Sequence, residues 1–457
     1  MIRTESFSNR IAKACLYILI TLNLSSCGGD TDYLTSVWTW MSGSSVVDQS
    51  GVYGTKGTAD AANVPGGRQS AVSWIDASGD MWLFGGSGFD SAGTDSQLND
   101  LWRWDGINWT WVSGSNLASQ AGVYGTKGVA NAANIPGARQ NSISWIDASG
   151  NLWLFGGFGN DGAGGVSYLN DLWRWDGANW TWISGSNVVN QSGVYGTKGV
   201  ANAANVPGAR QYSVSWIDAS GDLWLFGGNG YDSAGTSDWL NDLWRWDGAN
   251  WTWMSGSDVV NQPGVYGTIG VANAANVPGA RNAAVSWIDS SGDLWLFGGS
   301  VGSTSVVNDL WRWDGTNWTW MSGSNVVNQI GVYGTKGTAD AANVPGARSF
   351  STSWIDASGN MWLFSGIGAD SVGAGGILND LWHWDGANWT WMSGSEFVNA
   401  LGVYGTKGTA DAANVPGARL GAISWIDASG NLWMFGGNDF GNAGPTGERN
   451  DLWQYTP

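Results

Sequence analysis

The chain has 457 residues, with 72 Gly, 36 Trp and only 12% charged side chains, a composition that argues for a repeat array before it argues for two or three ordinary domains. Its formal net charge of −18 excludes the basic stripe that nucleic acid demands, and a hydrophobic share of 43% is ample for a sizeable core. No Pro-rich or acidic low-complexity tract breaks the chain, so it reads as folded.

Residues 1–26 stand apart. Arg3, Arg10 and Lys13 precede an apolar run from Ala14 to Leu24, which falls short of the ~20 residues that span a bilayer. The sequence Leu24-Ser25-Ser26-Cys27 followed by Gly28-Gly29 resembles the lipobox of bacterial lipoproteins. That resemblance implies a signal peptide over 1–26, lipid on the thiol of Cys27 and a tether over 27–37; a plain secretory signal or a buried N-terminal helix is the alternative. Cys15 would leave with the signal, so Cys27 alone remains and disulfides contribute nothing. The net charge becomes −20, and a body so acidic is held at a membrane only by its acyl chains. Gly28 after the cysteine favours the outer membrane or cell surface.

From residue 38 to residue 457 the chain repeats. The tripeptide Trp-Thr-Trp starts at Trp38, Trp109, Trp180, Trp251, Trp318 and Trp389, at spacings of 71, 71, 71, 67 and 71. Six units are present. The short interval arises where Ser300 to Val307 replaces twelve residues found elsewhere, such as Asn229 to Leu240. In the third unit Ser213 to Asp218 alternates weakly, Leu223 to Phe226 is an apolar run ended by Gly227-Gly228, and Asp242 to Trp246 and Trp251 to Met254 flank a turn. The pattern predicts an all-β fold: a six-bladed β-propeller of four-stranded antiparallel blades. The N-terminus carries an orphan fourth strand, Trp38 to Met41, and the C-terminus stops after a third, Asp451 to Tyr455. Pairing them completes the sixth blade from both ends of the chain.

Arg210 opening the first strand, Gly227-Gly228 after the second, Asn241-Asp242-Leu243-Trp244 in the third, Trp246 before Asp247, and Trp251 opening the fourth together resemble the kelch-repeat β-propeller, as in the central domain of galactose oxidase. The period exceeds that family's usual ~50 residues, and Ser365-Gly366 replaces the double glycine in the fifth unit. WD40 repeats share Trp-Asp but have a period of ~40 to 45 residues and a Gly-His signature that is missing here.

Thirty-five of the 36 tryptophans are periodic, Trp239 being the exception. A side chain demanded by every unit is expected to pack between blades, where an indole buries ~150–250 Å², more than to form a ligand shelf. The insert typified by Gly193 to Arg210 recurs almost unchanged, with Ile269 in the fourth unit where the third has Lys198, and reads as a structural cover. It ends at Arg68, Arg139, Arg210, Arg281, Arg348 and Arg419. Two readings stand open: a ring of guanidinium groups at the channel mouth that holds an anionic group bidentately, or arginines paired with nearby carboxylates between blades. After each Arg the units diverge, at Gln69-Ser70, Gln140-Asn141, Gln211-Tyr212, Asn282-Ala283, Ser349-Phe350 and Leu420-Gly421. One asymmetric ligand or simple drift explains that. The variable loops add Phe89, Phe158, Tyr168, Tyr231, Trp239 and Phe440, and their aspartates, Asp90 and Asp232 among them, match no EF-hand or RTX spacing.

The resemblance to galactose oxidase implies copper held by His and Tyr, but His383 is the one histidine, so a two-histidine site is impossible. The expectation is therefore a non-enzymatic monomer without cofactor or metal that binds a protein or a glycan through the long-loop face, using the six arginines with Gln69, Gln140, Tyr212, Phe350 and Trp239. The alternative is a carbohydrate-active enzyme of the sugar mutarotase type, using channel-mouth arginines and acidic residues.

Overall fold

The computed structural model describes residues 36–439 and 446–457; Cys27, the signal and most of the tether, and Phe440 lie outside these residues. Among the described residues there is no α-helix. Six four-stranded antiparallel sheets follow one another along the chain, and in the sixth the strand Val37–Ser42 pairs with Leu452–Thr456, Trp38 lying opposite Tyr455 and Trp40 opposite Trp453. In the third unit the order runs from Val214–Ile217 through Leu223–Tyr231 and Ser237–Trp246 to Trp251–Ser255.

The double glycine ends the second strand in the first, fourth and sixth units, at Phe84, Phe297 and Phe435, as its position predicts, but not in the other three. In the second, third and fifth units that strand runs on, and the register shifts across the glycines as a bulge, between Phe226 and Gly228 in the third. Gly227 (φ 61°) and Gly228 (φ 100°) take backbone angles that side chains resist. Beyond the bulge the hairpin continues as an upper tier, where Arg210–Gln211 pairs with Asn229 and Gly230.

Apolar faces meet between successive sheets. Ile143, Trp145, Trp153 and Phe155 of the second unit pack on Leu223, Leu225, Trp244, Trp246 and Trp251 of the third, and Trp425, Trp433 and Phe435 of the sixth pack likewise on Leu83, Trp102 and Trp109 of the first. The twelve largest fully buried side chains are all tryptophans, two per unit. At ~25 cal/mol per Å² each such ring contributes about 4–6 kcal/mol before the cost of ordering.

The insert covers the edge of the outermost strand. Gly199 N–H donates to the Trp253 carbonyl at 2.8 Å, and Asn205 Nδ2 donates to that of Trp251 at 3.0 Å. Lys198 lies 4.2 Å from the centre of the Trp253 ring and donates to the Gly256 carbonyl at 2.7 Å. An exposed strand edge would otherwise template pairing with another chain.

The six arginines do not form a ring of free donors at the channel mouth. Each is at most 1% exposed and pairs bidentately with an aspartate of its own sheet: Arg68 with Asp100, Arg139 with Asp171, Arg210 with Asp242, Arg281 with Asp309, Arg348 with Asp380, Arg419 with Asp451. The pairing lies within a unit rather than between blades. Arg210 reaches both oxygens of Asp242 at 2.7 Å and also donates to the carbonyls of Gly208 and Gly227. Tyr195 Oη and Trp244 Nε1 donate to Asp242 Oδ2 at 2.6 and 2.7 Å. Burial, then the Asp242 charge, pushes the Tyr195 hydroxyl well above its ordinary range, so it stays protonated as a donor.

Where the two ends of the chain meet, Asp48 accepts from the Glu448 N–H at 2.9 Å and Glu448 Oε1 from Gln69 Nε2 at 3.2 Å. Burial, with Asp95 nearby, pushes the Glu448 carboxyl up to about 8.

Three outcomes are expected in urea denaturation. Trp38→Ala costs about 3–5 kcal/mol, as much as Trp251→Ala; a cost near zero at Trp38 would mean that the N-terminal strand is dispensable. Asp242→Ala leaves Arg210 buried without its counter-charge and costs about 3–5 kcal/mol; replacing both by apolar residues recovers little of it, because the Tyr195 hydroxyl, the Trp244 N–H and the Gly208 and Gly227 carbonyls lose their partners. Glu448 is neutral in the fold but ionises near 4.5 when unfolded, so the folded state holds the extra proton and stability falls as pH rises from 4.5 through about 8. Glu448→Gln removes that component of the slope.

Candidate functional site

With the arginines spent inside the sheets, the differences among units gather one layer above them. Residues 70, 141, 212, 283, 350 and 421 form a collar around the axis. Asn141 N–H donates to the Ser70 carbonyl, Tyr212 to Asn141, Ala283 to Tyr212, Phe350 to Ala283, Gly421 to Phe350 and Ser70 to Gly421, at 2.8–3.4 Å. Every member is left-handed, from φ 50° at Ala283 to 65° at Gly421. Only Gly421 adopts that angle freely; each of the others stores of order 1 kcal/mol of strain, which the hydrogen-bonded circle holds in place.

The bonding uses backbone alone, so the collar side chains are free to differ. Tyr212 and Phe350, two units apart with the small Ala283 between them, meet edge to face at 4.9 Å between ring centres. Asn141 Nδ2 donates to Gln211 Oε1 at 3.0 Å. Gln140 pairs opposite Phe158, which meets Tyr168 at 5.9 Å, and Tyr168 meets Tyr231 at 6.1 Å. Of the sequence-predicted residues, Tyr212 and Phe350 come together, Gln69 turns to Glu448 at the chain seam, and the arginines lie beneath.

The fourth unit interrupts the pattern. Beside its shortened loop lies a cavity of ≈ 490 Å³ lined by Ser303, Thr304, Ser349, Phe350, Ile367 and the glycines of 373–376. Trp239 does not line this cavity but a second one, of ≈ 650 Å³, on the other flank of the same loop. The sequence signal for both was the four-residue shortfall at Ser300 to Val307, which reads in isolation as a mere change of loop length.

Below the collar the axial lining is neutral. Ser73, Ser144, Ser215, Ser286, Ser353 and Ser424 form a hydroxyl ring, Ser215 donating to the Ser144 carbonyl at 3.3 Å and Ser424 to that of Ser353 at 2.8 Å. Among the described residues no titratable side chain lines this stretch.

The loop aspartates are occupied by their own turns. Asp90 Oδ1 accepts from the N–H groups of Ala92 and Thr94, and Oδ2 from that of Ala118 at 3.0 Å; Asp161, Asp232 and Asp370 repeat the arrangement. Among the described residues no three His, Cys, Asp or Glu side chains converge as metal ligands. His383 sits near the tight-turn end of its strand, its ring 4.5 Å from that of Trp362 and its Nε2 3.6 Å from Asp356. With no second histidine in the chain, these residues do not fit a His- and Tyr-held copper.

Among solved structures the chain is similar to YjhT, with 14% identity and a TM-score of 0.50 over 85% of this chain and 95% of that one. It is also similar to a fungal alcohol oxidase of the AA5 family in complex with copper, with 12% identity and a TM-score of 0.48 over 93% of this chain and 76% of that one. No family model matches the chain, and no curated protein does. At such identities the likeness concerns the fold alone: all-β, with repeated four-stranded antiparallel sheets of the kind found in propellers.

Proposed function

We propose that the six sheets are the blades of one closed six-bladed propeller of the kelch type, anchored by lipid on Cys27 at the bacterial outer membrane or cell surface, and that it works as a monomeric binding scaffold through its long-loop face. Support for closure comes from the unbroken collar of six backbone hydrogen bonds and from the packing of the sixth unit on the first. The observation that carries the binding reading is the concentration of unlike side chains on one face. Repeated residues there are consumed by structure, whereas Tyr212, Phe350 and the cavity beside the fourth unit differ from everything around the ring. A concave, mostly pre-formed pocket of several hundred Å³ with few polar groups is where ligands settle. The partner is a protein or a glycan; nucleic acid is disfavoured by the charge of −18.

Sugar mutarotation is the second reading. The buried ion pairs weigh against its arginines, while Glu448, a carboxyl protonated at neutral pH beside Gln69, speaks for it. Polarimetry on a panel of free sugars decides between turnover and binding.

The binding reading is tested by pull-down from cell-surface extract and by glycan array, with the partner then titrated against variants. Tyr212→Ala with Phe350→Ala is expected to weaken binding tenfold or more, about 1.4 kcal/mol, with the unfolding midpoint nearly unchanged. Unaltered affinity would remove the collar from the binding surface.

A further inference from the structure

The cleft that holds Trp239 exists because the fourth unit lacks a wall. In the first, second, third and fifth units the glycine of the insert (Gly51, Gly122, Gly193, Gly331) donates its N–H to the carbonyl of the loop aspartate (Asp90, Asp161, Asp232, Asp370). The loop then presses a carbonyl against a second insert glycine: Phe89 on Gly66, Asn160 on Gly137, Tyr231 on Gly208, Ala369 on Gly346. Ser300 to Val307 contains no aspartate and is four residues shorter, and among the described residues no loop carbonyl closes on Gly279. As a result Tyr266 is only half-buried, whereas its five counterparts are 4–7% exposed. Pro263 stiffens the floor where other units have Ser50, Ala121, Ser192, Ile330 or Leu401.

The opening measures ≈ 650 Å³, within the range of small-molecule sites. Its lining combines the rings of Trp239 and Tyr266, the aliphatic Val301 and Val327, and the carboxamides of Gln262 and Asn325. Asp238 holds Asn261 Nδ2 at 2.8 Å, and the Asn261 N–H donates to the Trp239 carbonyl at 2.7 Å, so the Trp239 wall is braced from behind. Charge is missing. Arg281 touches the cleft, but both its terminal nitrogens are held by Asp309 at 2.6 and 2.7 Å. Anions therefore find no free cation here, and the acidic body repels them. Flat aromatic surface, neutral amide donors and acceptors and the lack of charge suit a ligand with an apolar ring face edged by hydroxyls.

Resting on the binding-scaffold reading and naming its ligand class, we propose that the cleft beside the fourth unit binds a ring of a neutral saccharide, packed on Trp239 and Tyr266 and hydrogen-bonded by Gln262 and Asn325. The test is a glycan array of neutral, sialylated and sulfated oligosaccharides on the purified protein, followed by calorimetric titration of the neutral hits. Trp239→Ala is expected to weaken a neutral hit at least tenfold. Replacing Ser300 to Val307 by a copy of Asn229 to Leu240 rebuilds the wall with a loop the fold already accepts, and abolishes binding. Ile107→Ala, at an exposed turn of the first unit outside the lining of the cleft, leaves that affinity within twofold. Absence of any neutral hit, or preference for sulfated or sialylated glycans, overturns the proposal. A neutral hit lost in Phe350→Ala but retained in Trp239→Ala and in the loop graft overturns it too, yet leaves the scaffold reading standing on the collar side. A protein partner weakened by Tyr212→Ala, with no glycan bound, has the same consequence.

Discussion

A buried arginine and aspartate, joined face to face in every unit, is the interaction on which the rest depends. Two desolvated charges are costly by themselves, and only full hydrogen bonding makes them tolerable. Here the carboxylate also takes a tyrosine hydroxyl from the insert and an indole N–H from its own strand, while the guanidinium takes two glycine carbonyls. One knot thus ties four segments of a unit: insert, first strand, glycine bulge and third strand. The glycine bulge follows from it, because a carbonyl must turn toward the guanidinium where a regular strand would point it at a neighbour. In the fifth unit Ser365 takes over the first bulge position at φ 64° and its carbonyl still accepts from Arg348.

Tryptophan supplies adhesion between units and the knot supplies geometry within them. Indole packing is generous but weakly directional, so stacked slabs could slide; the collar, which bonds each unit to the next, fixes the height at which each sheet sits. The collar also explains why sequence variation is allowed at the hub. Its members contribute N–H and C=O groups, which every residue but proline possesses, and the side chains above them carry no share of that bonding.

Much of this was legible in the chain. The period, the four strands per unit, the split sixth unit and the place of the indoles all follow from spacing and alternation, because those patterns are local. Of the two readings open for the arginines, pairing with carboxylates is the one the structure shows, within a unit and not between blades; a repeat shows that Arg210 and Asp242 both recur, but not that the chain folds one onto the other across 32 residues. Their invariance across six copies, together with that of the insert tyrosine, was the available signal. Gly227-Gly228 read as a stop because glycine at a strand end and glycine in a bulge look alike in one dimension. Trp239 stood out as aperiodic, but its setting depends on a neighbour's missing residues, which sequence read along one unit does not connect to it.

The knot of the fourth unit survives intact although its loop is cut, its lysine is an isoleucine and Pro263 stands just before its insert. Load and display are therefore housed in separate storeys of the molecule. The upper storey can be re-edited sector by sector, shortened here or armed with an aromatic there, without renegotiating the foundations. An array of near-identical units can in this way carry one unlike sector, and its repetition leaves that sector free to change.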